Sequence, residues 1–381
     1  MYQQQITFKA FASAMAIACW LGALVACGSA DTLIVKRDNT QVTIEGDFLM
    51  KAQDKSILFE GTDGQLHIFT ADEIVDLKET SDELPPLNHE ELGESLLAEL
   101  PDGFKILQTD NYVIAYQTRS DFAEWIGDLY EKRLIDEFKK FAKGLKYKLV
   151  DSRFPMAIVV FGSRPEYDRY VIRELGVEPG TMIAHYSQMT NRVALYDLTF
   201  DLGVPEKERM LKEVLKQRAA IPMVATIIHE GTHQLMFNRG MQTRLGDVPL
   251  WLNEGMANWF ETPDLRNGKG WRRPGKVNVD RLFQFKKYLK ARPSNSLQTL
   301  IETDDRCRGE GALDAYAESW ALMHFLLKRR KKDFRSYLQA VSGKSPGAPV
   351  DAETRLTEFI QHFGDLKKLD KAFLKYVQTL R

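Results

Sequence analysis

The sequence predicts an α+β protein, a small SH3-like β-barrel followed by a larger unit in which a mixed sheet gives way to helices. Three observations carry this. Short β-rich runs separated by turn signals crowd residues 31–78. Strand and helix patterns then interleave from Phe104 to Tyr196. After Pro205 the apolar periodicity is helical almost to the C-terminus. Strands first and helices afterwards fit an α+β arrangement better than a doubly wound one.

The N-terminal runs are Thr32–Lys36, Gln41–Glu45, Ser56–Glu60, Gln65–Phe69 and Ile74–Leu77, divided by Asp38-Asn39, Gly46-Asp47, Asp54-Lys55 and Asp63-Gly64. Five short strands at this spacing suit a small barrel. Residues 79–103 are acidic and carry Pro85-Pro86, which predicts a linker with one short helix. In the unit spanning 104–381, Phe104–Gln108 and Tyr112–Gln117 read as paired strands around Asp110-Asn111. A long amphipathic helix is expected over Asp121–Lys143, a buried strand over Met156–Phe161 and a helix over Glu166–Leu175. Met182–Tyr186 and Arg192–Tyr196 suit a hairpin at a sheet edge.

The chain has 381 residues, 44% hydrophobic and 28% charged, enough for a sizeable core plus an accessory unit. Lys+Arg 52 against Asp+Glu 53 leaves a net charge of -1, so nothing in the balance asks for nucleic acid as a partner. Residues 1–30 hold one charge, Lys9, and an apolar run from Ala10 to Ala26, the pattern of a secretion signal. Leu24-Val25-Ala26-Cys27 resembles a lipobox, whose acylated cysteine would anchor the protein to a membrane leaflet. Cleavage after Gly28-Ser29-Ala30 is the alternative and would leave a soluble secreted or periplasmic protein beginning at Asp31. Either way the expected location is outside the cytoplasm. Cys19 and Cys27 lie in the signal, which leaves Cys307 alone in the body and excludes an internal disulfide there.

His229-Glu230-Gly231-Thr232-His233 is an H-E-x-x-H motif. Val224, Ile227, Ile228, Gly231 and Leu235 follow helical spacing, so both imidazoles project from one face of a buried helix and can share one zinc ion. Glu230 points aside from that pair, where it can take a proton from metal-bound water. A third ligand is expected from Trp251-Leu252-Asn253-Glu254-Gly255-Met256-Ala257 on a second helix. Glu254 is favoured. Glu261, two turns on, is the rival, expected to point down the helix and away from the histidines. Two histidines, one glutamate and one water form a catalytic set, not a closed structural one.

The pair H-E-G-T-H and W-L-N-E-G-M-A-N-W-F-E resembles the gluzincin metallopeptidases, most closely the aminopeptidase N branch, over roughly residues 104–380. The whole layout is also similar to uncharacterised secreted bacterial members with an N-terminal small β module. The resemblance implies a thermolysin/gluzincin-like zinc domain with Glu254 as third ligand. It also implies that Tyr316 is the hydrogen-bond donor to the tetrahedral oxyanion, with Ser319 standing where the family has glycine. The G-x-M-E-N segment that grips a free amine in the aminopeptidases is missing, and Gly180-Thr181-Met182-Ile183-Ala184-His185 on the expected edge strand carries no acid. An endopeptidase acting on a peptide or protein substrate is therefore expected rather than an aminopeptidase. The alternative is a non-catalytic zinc-containing binding or assembly lipoprotein, in which a general base at Glu230 would serve no purpose.

Other residues carry weaker expectations. Tyr316 shares a helical face with Trp320, Met323 and Leu327 and also suits a core position. Asn258 is within reach of a ligand histidine, but a surface or helix-packing role suits it better. His185 lies at the cleft edge, and His324 suits packing within its helix. His67, His89 and His362 have no supporting context. Cys307 falls in a charged stretch, Asp304–Arg308, which reads as an exposed loop. Lys328–Lys332 reads as a solvated helix end, and Arg266, Lys269, Arg272, Arg273 and Lys276 as a mobile basic loop.

Overall fold

A computed structural model describes residues 31–37, 40–80, 85–200, 211–215, 217–262, 271 and 273–381. The signal and lipobox residues lie outside this range, as do Arg266, Lys269 and Arg272. Among the described residues no helix is long and apolar enough to cross a membrane.

The N-terminal runs form five antiparallel strands: β1 Asp31–Arg37, β2 Thr40–Lys51, β3 Ile57–Gly61, β4 Leu66–Phe69 and β5 Ile74–Lys78. Their order is β4-β3-β2-β1-β5. Alternating side chains bury Leu33, Val35, Ile57, Phe59 and Phe69 in a small core of their own. The expected barrel is corrected here: β4 and β5 are the two edges of an open sheet and do not pair with each other. The physical reason lies partly in the β4 edge, where the Leu66 amide donates to the Met189 carbonyl of the following unit.

Residues 79–103 carry more than a linker. Helix α1, His89–Glu99, starts at a capping box between Asn88 and Glu91. Its Leu92 and Leu96 sink into the core of the second unit.

That unit is built on a sheet of order β6-β7-β8-β10-β9. Its strands are β6 Lys105–Gln108, β7 Tyr112–Tyr116, β8 Met156–Phe161, β9 Ala184–Ser187 and β10 Arg192–Tyr196. β7, β8 and β10 run parallel at the centre, and β6 and β9 are antiparallel edges. All six residues of β8 are buried, as a strand covered on both faces requires. The long amphipathic helix divides into α2, Ser120–Leu129, and α3, Ile135–Leu145, joined by one π-helical stretch, Tyr130–Leu134. Helix α4, Arg164–Leu175, follows β8, and the short α5, Leu211–Val214, follows β10.

The helical half holds α6 Ile221–Asn238, α7 Leu250–Phe260, α8 Val279–Tyr288, α9 Ser296–Glu302 and α10 Asp305–Arg308. It ends with α11 Ala312–Arg329, α12 Lys331–Ser342, α13 Ala352–Phe363 and α14 Leu366–Val377. Helix α6 is buried on every side from Thr226 to Phe237, and α7 throughout. Gln234 ties α6 to the sheet, donating to the carbonyls of Ala157 on β8 and Asn191 beside β10.

Candidate metal centre

Both halves of the candidate site come from buried helices that cross closely, and glycine permits each approach. A Cβ at Gly231 on α6 would lie 2.4 Å from the Tyr130 ring. The π-helical stretch presents that ring, and its hydroxyl bonds the Ile227 carbonyl at 2.5 Å. A Cβ at Gly255 on α7 would lie 3.0 Å from the Ser319 carbonyl of α11. These contacts set α6 and α7 so that His229, His233 and Glu254 point at one another.

Their ligand atoms all lie within 4.8 Å of one another. The two Nε2 atoms are 3.0 Å apart. Glu254 Oε2 is 3.1 Å from His229 Nε2, and Glu254 Oε1 is 3.6 Å from His233 Nε2. All three residues are about 1% exposed. The outer ring nitrogens have acceptors of their own. His229 Nδ1 lies 2.8 Å from Glu261 Oε2, and His233 Nδ1 lies 3.0 Å from Asn253 Oδ1. Those contacts place the ring protons on Nδ1. The two Nε2 lone pairs and the Glu254 carboxylate then converge with no donor among them. Such a set of acceptors fits a cation.

The electrostatics agree. Burial alone would lower the His229 pKa, but hydrogen bonds to Glu254 and Glu261 outweigh it and push it up to about 10. Without a metal, one proton thus takes a cation's place between two carboxylates. Burial lowers His233 to about 4, so it stays neutral. Burial would raise Glu254, yet the two imidazoles beside it, His233 and the hydrogen-bonded His229, hold it below the usual carboxylate range.

Glu230 lies on α6 beside this group. Its Oε2 accepts the Tyr186 amide of edge strand β9 at 2.9 Å. Burial raises its pKa to about 7. Tyr316 on α11 is 5% exposed, and its hydroxyl finds no hydrogen-bond partner among the described residues. Burial first, then the Glu254 charge, raises its pKa well above that of free tyrosine, which keeps it a donor.

Two expectations are corrected, those for Glu261 and Cys307. Glu261 does not point away from the histidines; it is the residue that holds His229. Asn258 serves within its own helix, its amide donating to the Glu254 carbonyl, and does not orient a histidine. Asn253 has that role on His233. Cys307 is not exposed: it is 5% accessible, within α10, and burial pushes its thiol up to about 12.

His185 is turned to α4 rather than to the ligand group. Its ring contacts the Tyr167 hydroxyl at 3.0 Å and Glu174 at 2.8 Å. Its neighbour Tyr186 instead stacks on Phe237 of α6. His324 packs between Trp259 and Trp320 and contacts the Tyr376 hydroxyl. His67 stacks on Phe69 and His362 meets the Tyr337 ring. Lys328 lies over the Trp259 ring, so the basic run is not wholly solvated.

Residues 223–348 match a family model described as a protein of unknown function (DUF1570). The match covers the span from the H-E-x-x-H helix through α12. No curated protein matches the chain.

Proposed function

We propose that this protein is a zinc-dependent hydrolase of peptide bonds with a thermolysin/gluzincin-like zinc domain, acting outside the cytoplasm and tethered through its N-terminal cysteine. The observation that supports this most directly is the convergence of three buried acceptor groups, His229, His233 and Glu254, beside a fourth, Glu230, that belongs to none of their pairings. A structural site would close with a fourth protein ligand, whereas two histidines and one glutamate leave a position free.

When bound at these three residues, zinc supplies Lewis acidity towards a scissile carbonyl and lowers the pKa of a coordinated water. Glu230 is the proton carrier. Its place on the wall beside the ligands and a pKa brought to about 7 suit a group that must take a proton and give it back near neutrality. The Tyr186 amide fixes one of its oxygens and leaves the other to act. Tyr316, protonated and without a partner for its hydroxyl among the described residues, suits donation to an oxyanion in a site shielded from bulk water. Glu261 and Asn253 hold the imidazoles in one tautomer and one orientation.

The test is hydrolysis of a mixed peptide library and of casein, with and without a chelator. Chelation abolishes cleavage and added zinc restores it. Glu230→Gln keeps its zinc and loses roughly 10²–10⁴ in turnover, the usual worth of a positioned general base. Full activity in Glu230→Gln would remove the assigned base, and cleavage indifferent to chelation would remove the metal.

A further inference from the structure

The candidate site has a cation that no element of the reading above uses. Arg281 lies in the first turn of α8, after the N-cap Asn278, whose side chain accepts the Arg281 amide. Its guanidinium sits 5.8 Å from the centroid of the Tyr316 ring. Its Nε is 3.5 Å from Glu261 Oε1, the oxygen of that carboxylate not turned to His229.

Neither contact exhausts it. Glu261 Oε1 also accepts the Asn278 side-chain amide at 2.9 Å, and the Arg281 charge helps keep that buried carboxylate ionised through Nε alone. Guanidinium carries five N–H donors, and the four on its Nη atoms meet no acceptor among the described residues. The side chain is 16% exposed, enough to be reached and buried enough for its charge to be felt.

The formal charges point the same way. Glu230, Glu254 and Glu261 against a divalent ion leave one negative charge, which would repel an anionic ligand. Arg281 cancels it. A planar fork with free parallel N–H groups matches a carboxylate bidentately, which a lysine in its place would not.

We propose that Arg281 receives a carboxylate of the substrate, so that the site prefers peptides carrying a free carboxylate next to the bond presented to Glu230. The proposal rests on the hydrolase reading for its substrate class, but Arg281 can be tested by binding alone. The carboxylate could be a chain terminus or an acidic side chain, and the experiment separates the two.

Three probes are titrated calorimetrically into the full-length protein, zinc-loaded and zinc-free: N-acetyl-Phe-Ala, its C-terminal amide, and N-acetyl-Phe-Glu amide. The expected result is that at least one acid binds roughly tenfold or more tightly than the neutral amide, as a bidentate charged pair should. Preference for N-acetyl-Phe-Ala marks a terminal carboxylate, and preference for the Glu probe an acidic side chain. Arg281→Gln levels the three affinities while the neutral amide binds as before, and Arg281→Lys keeps part of the preference. Wild-type protein that binds all three alike, or not at all, overturns the proposal, as does an unchanged preference in Arg281→Gln. Absence of hydrolysis with the preference intact would count against the hydrolase reading alone.

Discussion

Two of the places where the helical half buries carboxylates among charged partners are built to opposite ends. Glu318 on α11 is fully enclosed, and every side of it is answered. Oε1 accepts Arg292 at 2.8 Å, and Oε2 accepts Arg306 at 2.8 Å and Ser296 at 2.7 Å. Arg292 in turn holds Asp370 through both of its Nη atoms. Donors and acceptors match, so the cluster is complete without a ligand. Around Glu254 the balance fails: two imidazole lone pairs and a carboxylate face one another, and their donors point outward to Glu261 and Asn253. Buried charge by itself therefore says little about function. What separates a girder from a site is whether the local donors and acceptors cancel.

Removing an acceptor from the incomplete cluster gives the largest effect expected from this contrast. His233→Ala should bind no stoichiometric zinc and hydrolyse nothing, while circular dichroism shows the helices intact. Metal content by mass spectrometry is the check, and one retained zinc per chain would break the comparison. The complete cluster should respond in the opposite currency. Glu318→Ala strands Arg292 and Arg306 and should cost about 3–5 kcal/mol of stability, as breaking a buried ion pair does. Denaturant unfolding measures this, and the folded fraction should still carry its zinc. A smaller effect is expected one layer out from the metal. Glu261→Gln keeps a hydrogen bond to His229 but loses the charge, and zinc affinity should fall by about 10–100-fold in a chelator competition. An affinity equal to wild type would make Glu261 a bystander. Least of all, Cys307 should be inert towards a disulfide reagent at pH 8, because its thiol is buried and its pKa is pushed to about 12. Rapid labelling of native protein would show that α10 opens readily.

The difference between the clusters also marks where sequence reading stops. Glu318 carries no signal in the chain and Glu261 reads only as a rival ligand turned away, because each owes its role to residues far away in sequence. Glu318 meets Arg292 and Arg306 from other elements, and Glu261 meets a histidine on α6. Asn253 came closest to being legible, since it directly precedes Glu254 in the same short segment. Arg281 carried no signal at all beyond being a charge in an amphipathic helix.

What the chain determined by itself was local and directional. Helical spacing put His229 and His233 on one face, because a 3.6-residue period fixes side-chain directions within one element, and two β-rich runs close together in the chain formed the hairpin of β9 and β10. Packing between elements decided the rest: that the N-terminal sheet stays open against Met189, that α1 belongs to the second core, that Cys307 is buried, and that Glu261 reaches back to His229. Those outcomes depend on how far apart in space two segments come to lie, a quantity no local period contains.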